Sequence, residues 1–281
     1  MRQLFIFSTI FLWVLCQSSP GLANISESWE LPDWQVLEFE EKAFWATAKS
    51  RLELLPAEES PEKWLFIANS SVPNNSEKVS MLLDPAKGEI LGRERLSHGK
   101  KDQRIKTYHY GPNYVVKERR EPRGAETADP KKWPLASKSK VRMPDTEREL
   151  VITNPYLLIL HAAALQKADP DTSREILVHT DENFYRARLT SGTGIPLNVS
   201  YKIAGDGTVK ERRETVGVVI KVTPVGSLTD KDDFSLLGLS GDIIILFDRE
   251  SGLPLQIRGL APRIGSTTIN LRSVTMRPPS L

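Results

Sequence analysis

The stretch from Gly241 to Val274 constrains the fold more than any other part of the chain. Ile243–Phe247 is an unbroken, β-branched apolar run, which is typical of a strand buried on both faces. After a turn that closes at Gly252, apolar and polar residues alternate over Leu253–Arg258, and they alternate again over Thr268–Val274. Three strands joined by two turns predict an antiparallel meander.

A second hairpin repeats the pattern of the first. Asp84–Gly88 has the same Asp-x-x-x-Gly form as Asp248–Gly252. The aspartate can accept backbone N–H bonds at the start of a turn, and the glycine can adopt positive φ without steric cost. The sequence therefore predicts two hairpins of one type. The next predicted pair of strands is Ile105–Tyr110 and Tyr114–Arg120.

Strands are predicted along most of the remaining chain, and one helix interrupts them. The other predicted strands are Phe44–Leu54, Trp64–Ala68, Met81–Leu83, Ile176–Thr180, Asn183–Leu189, Leu197–Ile203 and Val209–Val222. Phe44–Leu54 also suits one face of a helix, but sheet follows it, so a strand is favoured. Asn154-Pro155 suits an N-cap and a first helical position, and it predicts one main apolar helix over about residues 155–167. The predicted class is α+β, mainly β.

Residues 121–149 interrupt this pattern. Four prolines and one glycine break up a lysine-rich stretch: Pro122, Gly124, Pro130, Pro134 and Pro144. We expect an irregular excursion there. Residues 24–281 are otherwise predicted to form a single β-rich domain.

Residues 1–23 are typical of a secretory signal peptide. A positive start at Arg2 precedes the mainly apolar run Leu4–Leu15, and small residues lead to a predicted cleavage site after Ala23. The alternative is an uncleaved membrane anchor, but the run is shorter than the roughly 17–25 residues that a spanning helix needs. The single cysteine, Cys16, lies in this segment. An exported chain without disulfides indicates a bacterial periplasm, and no transmembrane segment is expected after cleavage.

Charge is unevenly distributed along the chain. Residues 93–142 contain fifteen Lys/Arg and six Asp/Glu, a net +9, although the whole chain is only +2. This segment suggests contact with an anionic surface such as lipid headgroups, through Lys106, Lys117, Arg119 and Arg120. The alternative is the solvated face of a sheet with cross-strand aromatic and cationic neighbours. Export argues against nucleic acid as a partner.

The sequence contains no recognisable catalytic set. His161 lies on the apolar helix, where a hydrogen-bonded core histidine is favoured. His179 with Asp181 and Glu182 could suggest metal ligands, but the two acids more plausibly form a turn between strands, and no second histidine follows at ligand spacing. We therefore expect no enzyme activity, no cofactor and no metal.

Several short segments resemble a bacterial periplasmic family of unknown function, whose members are similar in architecture to the half-barrels of periplasmic lipoprotein carriers. They are Asp248 with Leu253-Pro254-Leu255-Gln256-Ile257 and Gly259, Ile264-Gly265 with Leu271, Leu83-Asp84-Pro85 with Gly88, Tyr108–Tyr110, and Asn154-Pro155-Tyr156. The resemblance implies a large, strongly curved antiparallel sheet with helical segments on its concave side. It implies no catalytic residues.

These observations favour a non-catalytic periplasmic protein that binds an apolar or lipid-like ligand, or an envelope partner, in the concavity of the sheet. The alternative is a structural or adaptor protein of the cell envelope that acts through protein contacts. An envelope hydrolase is a third hypothesis, which would require His179 to meet carboxylates in an open cleft.

Overall fold

The computed structural model describes residues 30–43, 46–72, 75–99, 102–124, 129–229, 232–262 and 264–278. The predicted signal peptide and its cleavage site after Ala23 lie outside the described residues, as does Phe44. The first strands are β1 (Trp34–Ala43), β2 (Ala46–Ala57), β3 (Ser60–Val72), β4 (Asn75–Asp84), β5 (Glu89–His98), β6 (Gln103–Tyr110), β7 (Tyr114–Arg120), β8 (Leu135–Arg142) and β9 (Ile152–Thr153). Helix α1 (Leu158–Leu165) is followed by β10 (Ser173–His179), β11 (Phe184–Thr193), β12 (Leu197–Ile203), β13 (Gly207–Arg213), β14 (Thr215–Pro224), β15 (Ser240–Asp248), β16 (Pro254–Ala261) and β17 (Gly265–Met276).

One large sheet contains all of these strands. Antiparallel pairing runs in the spatial order β10, β11, β14, β15, β16, β17, β1, β2 and then onward in sequence to β8. Strand β9 joins β10 in parallel, and the β12–β13 hairpin branches from β17 through a short parallel contact. The predicted α+β, mainly β class is confirmed, although the sheet is mixed rather than purely antiparallel.

The sheet curls back on itself without closing. Nine strands lie between β5 and β10 along the hydrogen-bonded order. A flat sheet would separate them by roughly 45–50 Å. Instead the guanidinium of Arg93 on β5 donates to the carbonyl oxygens of His179 at 3.1 Å and Thr180 at 2.6 Å, at the end of β10. The strong curvature implied by the resemblance is therefore confirmed.

Helix α1 is buried in the core of this curved sheet. Seven of its eight residues are buried, which agrees with its apolar character nearly all round. Nε2 of His161 donates to the carbonyl oxygen of Gly88 at 3.0 Å, so the predicted hydrogen-bonded core histidine is confirmed. Asn154 caps the short 3-10 turn Pro155–Leu157 that precedes the helix, and its side chain accepts from the backbone N–H of Tyr156 at 3.1 Å. No helix in the described part of the chain has the length and apolar character that crossing a bilayer requires.

The two predicted Asp-x-x-x-Gly hairpins are confirmed. Gly88 and Gly252 each have φ +67°, and each donates its N–H to the carbonyl oxygen of the aspartate four residues earlier, at 2.8 and 2.9 Å. The meander of β15, β16 and β17 is also confirmed. The choice of a strand over a helix for Phe44–Leu54 is correct for its described part, which lies in β2.

Three predictions of local structure were wrong. Residues 121–149 are not wholly irregular, because Leu135–Arg142 forms β8 and pairs with β7. The strand predicted over 209–222 is two strands, which meet at Glu214 and pair with different neighbours. The polar composition of residues 24–35 also predicts an irregular lead-in, but Trp34 begins β1 and is 1% exposed.

Candidate functional site

The inward-facing rows of side chains change from apolar to charged along the sheet. One row runs from β2 to β7 as Leu54, Phe66, Met81, Arg93, Tyr108 and Lys117. The next runs as Leu52, Ala68, Val79, Arg95, Lys106 and Arg119. We call the five inward-facing cations of β5–β7 the basic wall: Arg93, Arg95, Lys106, Lys117 and Arg119.

An acidic turn packs against the basic wall. The turn Thr180–Asn183 connects β10 to β11, as predicted, and presents two carboxylates. Asp181 accepts from the ammonium of Lys106 and the phenol of Tyr108, and it lies 3.3 Å from the guanidinium of Arg95. Glu182 pairs with Lys117. The turn therefore ties one end of the curled sheet to the other through ion pairs.

Asp233, in the connection between β14 and β15, holds the acidic turn in place. Its carboxylate accepts five hydrogen bonds, from Thr180 Oγ1, the backbone N–H groups of Asp181 and Glu182, Asn183 Nδ2 and the Tyr185 hydroxyl. Burial opposes ionisation of Asp233, but the side-chain donors outweigh it and hold its pKa below the usual value. An ionised Asp233 thus acts as a cap for the turn.

The network beneath the turn has fixed protonation states. Burial disfavours the ionised form of Asp181, but the positive charges of Arg95 and Lys106 outweigh it and lower its pKa. Burial raises the pKa of Tyr108, so that its hydroxyl stays a donor to Asp181. Burial also lowers the pKa of Lys106, against the attraction of Asp181. The charged groups of this network neutralise one another within the protein, so we assign them a structural role.

Two adjoining cavities open next to this network, inside the concavity. Their volumes are about 440 and 380 Å³, and they share the lining residues Ser70, Glu77, Arg95, Tyr156 and Gly238. Glu77 accepts from Arg95 Nε at 2.7 Å and from the Tyr156 hydroxyl at 3.2 Å. Burial raises the pKa of Tyr156, which keeps the phenol neutral. We call this pair of cavities the polar cavity.

Hydroxyl groups line the polar cavity between its charged groups. A third inward-facing row crosses β2–β6 as Ser50, Ser70, Glu77, Ser97 and Arg104. Ser71 and Ser76 add two more serines to the lining. Within the described part of the chain, the hydroxyls of Ser50 and Ser97 make no hydrogen bond to the protein. These groups remain available to a ligand.

A larger cavity of about 660 Å³ adjoins the polar cavity and shares Ser50, Ser70 and Glu77 with it. Part of its lining is a row of outward-facing side chains, which alternate along the strands with the inward-facing ones. The row consists of Glu38, Arg51, Asn69, Lys78 and Leu96. Two of its arginines are already paired, Arg51 with Glu38 at 2.8 Å and Arg272 with Glu40 at 2.9 Å. The polar cavity is the better candidate site, because Ser97 and the half-buried ion pair of Glu77 and Arg95 line it, whereas neither Ser97 nor Arg95 lines the larger cavity.

The four residues predicted to contact an anionic surface do not form one patch. Lys106, Lys117 and Arg119 share the inner face, whereas Arg120 lies opposite Ile105 on the other face. The side chains of Lys106 and Lys117 are each only 12% exposed. Arg119 pairs with Glu121, and Arg120 donates to the carbonyl oxygen of Trp133 at 3.1 Å. Their contact with an anionic surface stays a prediction.

His179 does not lie in an open cleft. Its side chain is 1% exposed and is surrounded by the rings of Tyr108, Tyr110 and Phe184, at centroid distances of 5.8, 5.6 and 4.7 Å. Burial, together with the charge of Arg93, lowers its pKa well below the usual value. Among the described residues, no group of three or more His, Cys, Asp or Glu side chains is placed to hold a metal ion.

The face on which Arg93 and Arg95 lie could not have been predicted from the sequence. A register shift between Leu82 and Leu83 interrupts the pairing of β4 with β5, so alternation counted from the turn Asp84–Gly88 would place both arginines on the outer face. No local pattern marks Asp233 or Tyr156, because the side-chain partners that hold them lie at least 48 residues away in the chain.

No protein-family model matches the sequence, and no curated protein matches it. Among solved structures, the chain is similar to one described as a beta-barrel-like protein of a domain of unknown function, DUF1849, from Brucella abortus. The identity is 7%, the TM-score is 0.47, and the match covers 89% of this chain and 100% of that chain. At these values, no residue role or activity of that protein can be assigned to this chain. Membership in the periplasmic family named above stays a prediction.

Proposed function

We propose that this chain is a non-catalytic, exported periplasmic protein that binds a polar ligand, or a polar segment of an envelope partner, in the concavity of its curved sheet. One observation carries the proposal. The polar cavity is open, its volume of about 440 Å³ in the larger part falls in the usual range of ligand sites, and its free hydroxyls surround a fixed ion pair.

An apolar or lipid-like ligand, as expected from the sequence, is less well supported. The apolar half of the concavity is filled by core side chains from β2–β4 and by α1, including Leu54, Phe66, Met81 and Leu158, each 0% exposed. An acyl chain would need an apolar channel, whereas most of the residues that line the open volume have hydroxyl or charged side chains. A lipid could present its polar headgroup there.

A second candidate is an adaptor that works through a sheet edge. Among the described pairings, β8 is hydrogen-bonded only to β7, so that its other edge is available to an extended segment. Its outward cations are partly engaged, since Lys138 pairs with Glu118 at 2.9 Å and Lys140 lies 3.7 Å from the centroid of the Tyr114 ring. Such charges also protect an edge against unwanted pairing.

Native mass spectrometry of the protein purified from its own periplasm tests the proposal. A co-purifying polar small molecule supports ligand binding in the concavity. A stoichiometric co-purifying protein that is lost when Lys140 is replaced by Pro, which removes a β8 N–H, supports the adaptor function instead. A long-chain lipid adduct without a polar contact to the cavity contradicts the polar assignment.

A further inference from the structure

We infer that the ligand of the polar cavity is a neutral, hydroxyl-rich molecule of the saccharide class. This inference rests on the proposed function and narrows it. It follows from the charge balance of the lining, from the hydrogen-bonding capacity of its free groups, and from the placement of Glu77 beside Arg95.

The lining carries no excess of positive charge. Four cationic side chains, Lys49, Arg93, Arg95 and Arg104, face five anionic ones, Glu41, Glu77, Asp102, Asp181 and Asp233. A phosphate or carboxylate ligand would need an excess of donors and positive charge at its anionic group. The basic wall does not supply that excess, because Asp181 and Glu182 already neutralise Lys106 and Lys117. The cavity therefore favours a neutral ligand over an anionic headgroup.

Serine hydroxyls suit a partner that is itself made of hydroxyls. Each serine both donates one hydrogen bond and accepts others. Ser50, Ser70 and Ser97 lie in one cross-strand row along one wall. Ser50 and Ser97 offer free hydroxyls, and the hydroxyl of Ser70 is already hydrogen-bonded to Tyr156. A saccharide ring presents successive hydroxyls that can donate to one neighbour and accept from the next.

Glu77 and Arg95 provide a fixed acceptor beside a fixed donor. The carboxylate can only accept hydrogen bonds and the guanidinium can only donate them. Arg95 contacts Glu77 at 2.6 Å and Asp181 at 3.3 Å, and Tyr156 donates to the other oxygen of Glu77, so the pair is held from both sides. Two adjacent hydroxyls of a ligand can donate to Glu77 and accept from Arg95 without any net charge on the ligand.

Backbone amide NMR on the full chain gives a direct test. The probes are glucose, N-acetylglucosamine, cellobiose and N,N′-diacetylchitobiose as neutral saccharides, with inorganic phosphate and phosphatidylglycerol micelles as anionic comparisons. We expect saturable shifts at Ser70, Glu77 and Ser97 with at least one neutral saccharide. Ser97→Ala and Ser70→Ala should each weaken that binding roughly 5- to 10-fold, because each removes one hydrogen bond. Ser139→Ala, on the exposed inner face of β8, is the matched control and should change nothing.

The outcomes separate this inference from the function on which it rests. Binding of phosphate or phosphatidylglycerol at these residues, without any saccharide, overturns the saccharide class and leaves the binding function intact. If no probe shifts these residues and native mass spectrometry finds no adduct, both fail. Saccharide binding that Ser97→Ala and Ser70→Ala leave unchanged places the ligand elsewhere and also overturns the inference.

Discussion

The carboxylate of Asp233 accepts a hydrogen bond from the side-chain amide of Asn183 at 2.8 Å. Through this contact the irregular connection between β14 and β15 holds the turn that carries Asp181 and Glu182. These two carboxylates neutralise Lys106 and Lys117 on the opposite side of the concavity. The curvature of the sheet therefore depends on a polar chain of contacts as well as on its apolar core.

Asp233→Asn should destabilise the fold, because a neutral amide is a weaker acceptor and cannot receive all five donors that the carboxylate receives. We expect a loss of about 1–3 kcal/mol in the free energy of unfolding, measured by urea denaturation. Asp206→Asn in the exposed turn between β12 and β13 is the control, with an expected change within about 0.5 kcal/mol. Equal effects of the two variants would contradict the capping role of Asp233.

Stability should fall as the pH falls from 7.5 to 5.5. Burial lowers the pKa of His161 to about 3 and lowers that of His179 well below the usual value. The unfolded chain, with ordinary histidines, then binds more protons than the folded chain below about pH 6.5, so acid favours unfolding. Each histidine should contribute about 1.4 kcal/mol to this loss over the two pH units.

The variant His161→Gln isolates one of these two groups. Its amide can still donate to the carbonyl oxygen of Gly88, but it does not titrate. We expect the loss of unfolding free energy between pH 7.5 and 5.5 to be smaller by about 1.4 kcal/mol than in the wild type. The same pH dependence in both proteins would show that His161 ionises normally in the folded state.

Gly252→Ala should cost roughly 1–2 kcal/mol, because φ +67° is unfavourable for a residue with a Cβ atom. Gly192→Ala on β11 is the control. A Cβ there meets the carbonyl oxygen of Gly217 at 3.9 Å, an ordinary contact, so its effect should lie within about 0.5 kcal/mol or stabilise the protein. Thermal or urea unfolding measures both. A neutral Gly252→Ala would contradict the turn geometry.

Replacement of Lys117, Arg119 and Arg120 by Ser should weaken binding to anionic vesicles less than about threefold. These side chains are engaged with Glu182, Glu121 and the carbonyl oxygen of Trp133, and they point to two different faces. Each exposed cation on a membrane-binding surface contributes about 1 kcal/mol, so three such residues would change binding more than 100-fold. Vesicle co-sedimentation distinguishes the two results. The matched control replaces Lys138, Lys140 and Arg142 on β8 by Ser.

The sequence was sufficient for those parts of the fold that depend on local rules. The Asp-x-x-x-Gly turns follow from the conformational freedom of Gly88 and Gly252, and the strands flanking them follow from alternation. It was insufficient where long-range register decides the outcome. In the sequence, Arg93 and Lys106 are typical of a solvent-exposed strand face. That face lies on the inside only because the curvature of the sheet brings His179 and Asp181 into contact with it. The branch of β12 from β17 depends likewise on pairing between residues 71 positions apart.

If a polar ligand occupies the cavity around Glu77 and Arg95, blocking that cavity should abolish its binding. Ser70→Phe fills the space shared by both parts of the polar cavity, and Ser139→Phe adds the same ring on the exposed inner face of β8. Native mass spectrometry of each protein, purified from its own periplasm, measures the bound fraction, and near-ultraviolet circular dichroism checks the fold. We expect a small-molecule adduct in the wild type and in Ser139→Phe, and we expect its loss in a folded Ser70→Phe. An adduct retained by Ser70→Phe, or no adduct in any of the three, would contradict ligand binding in this cavity.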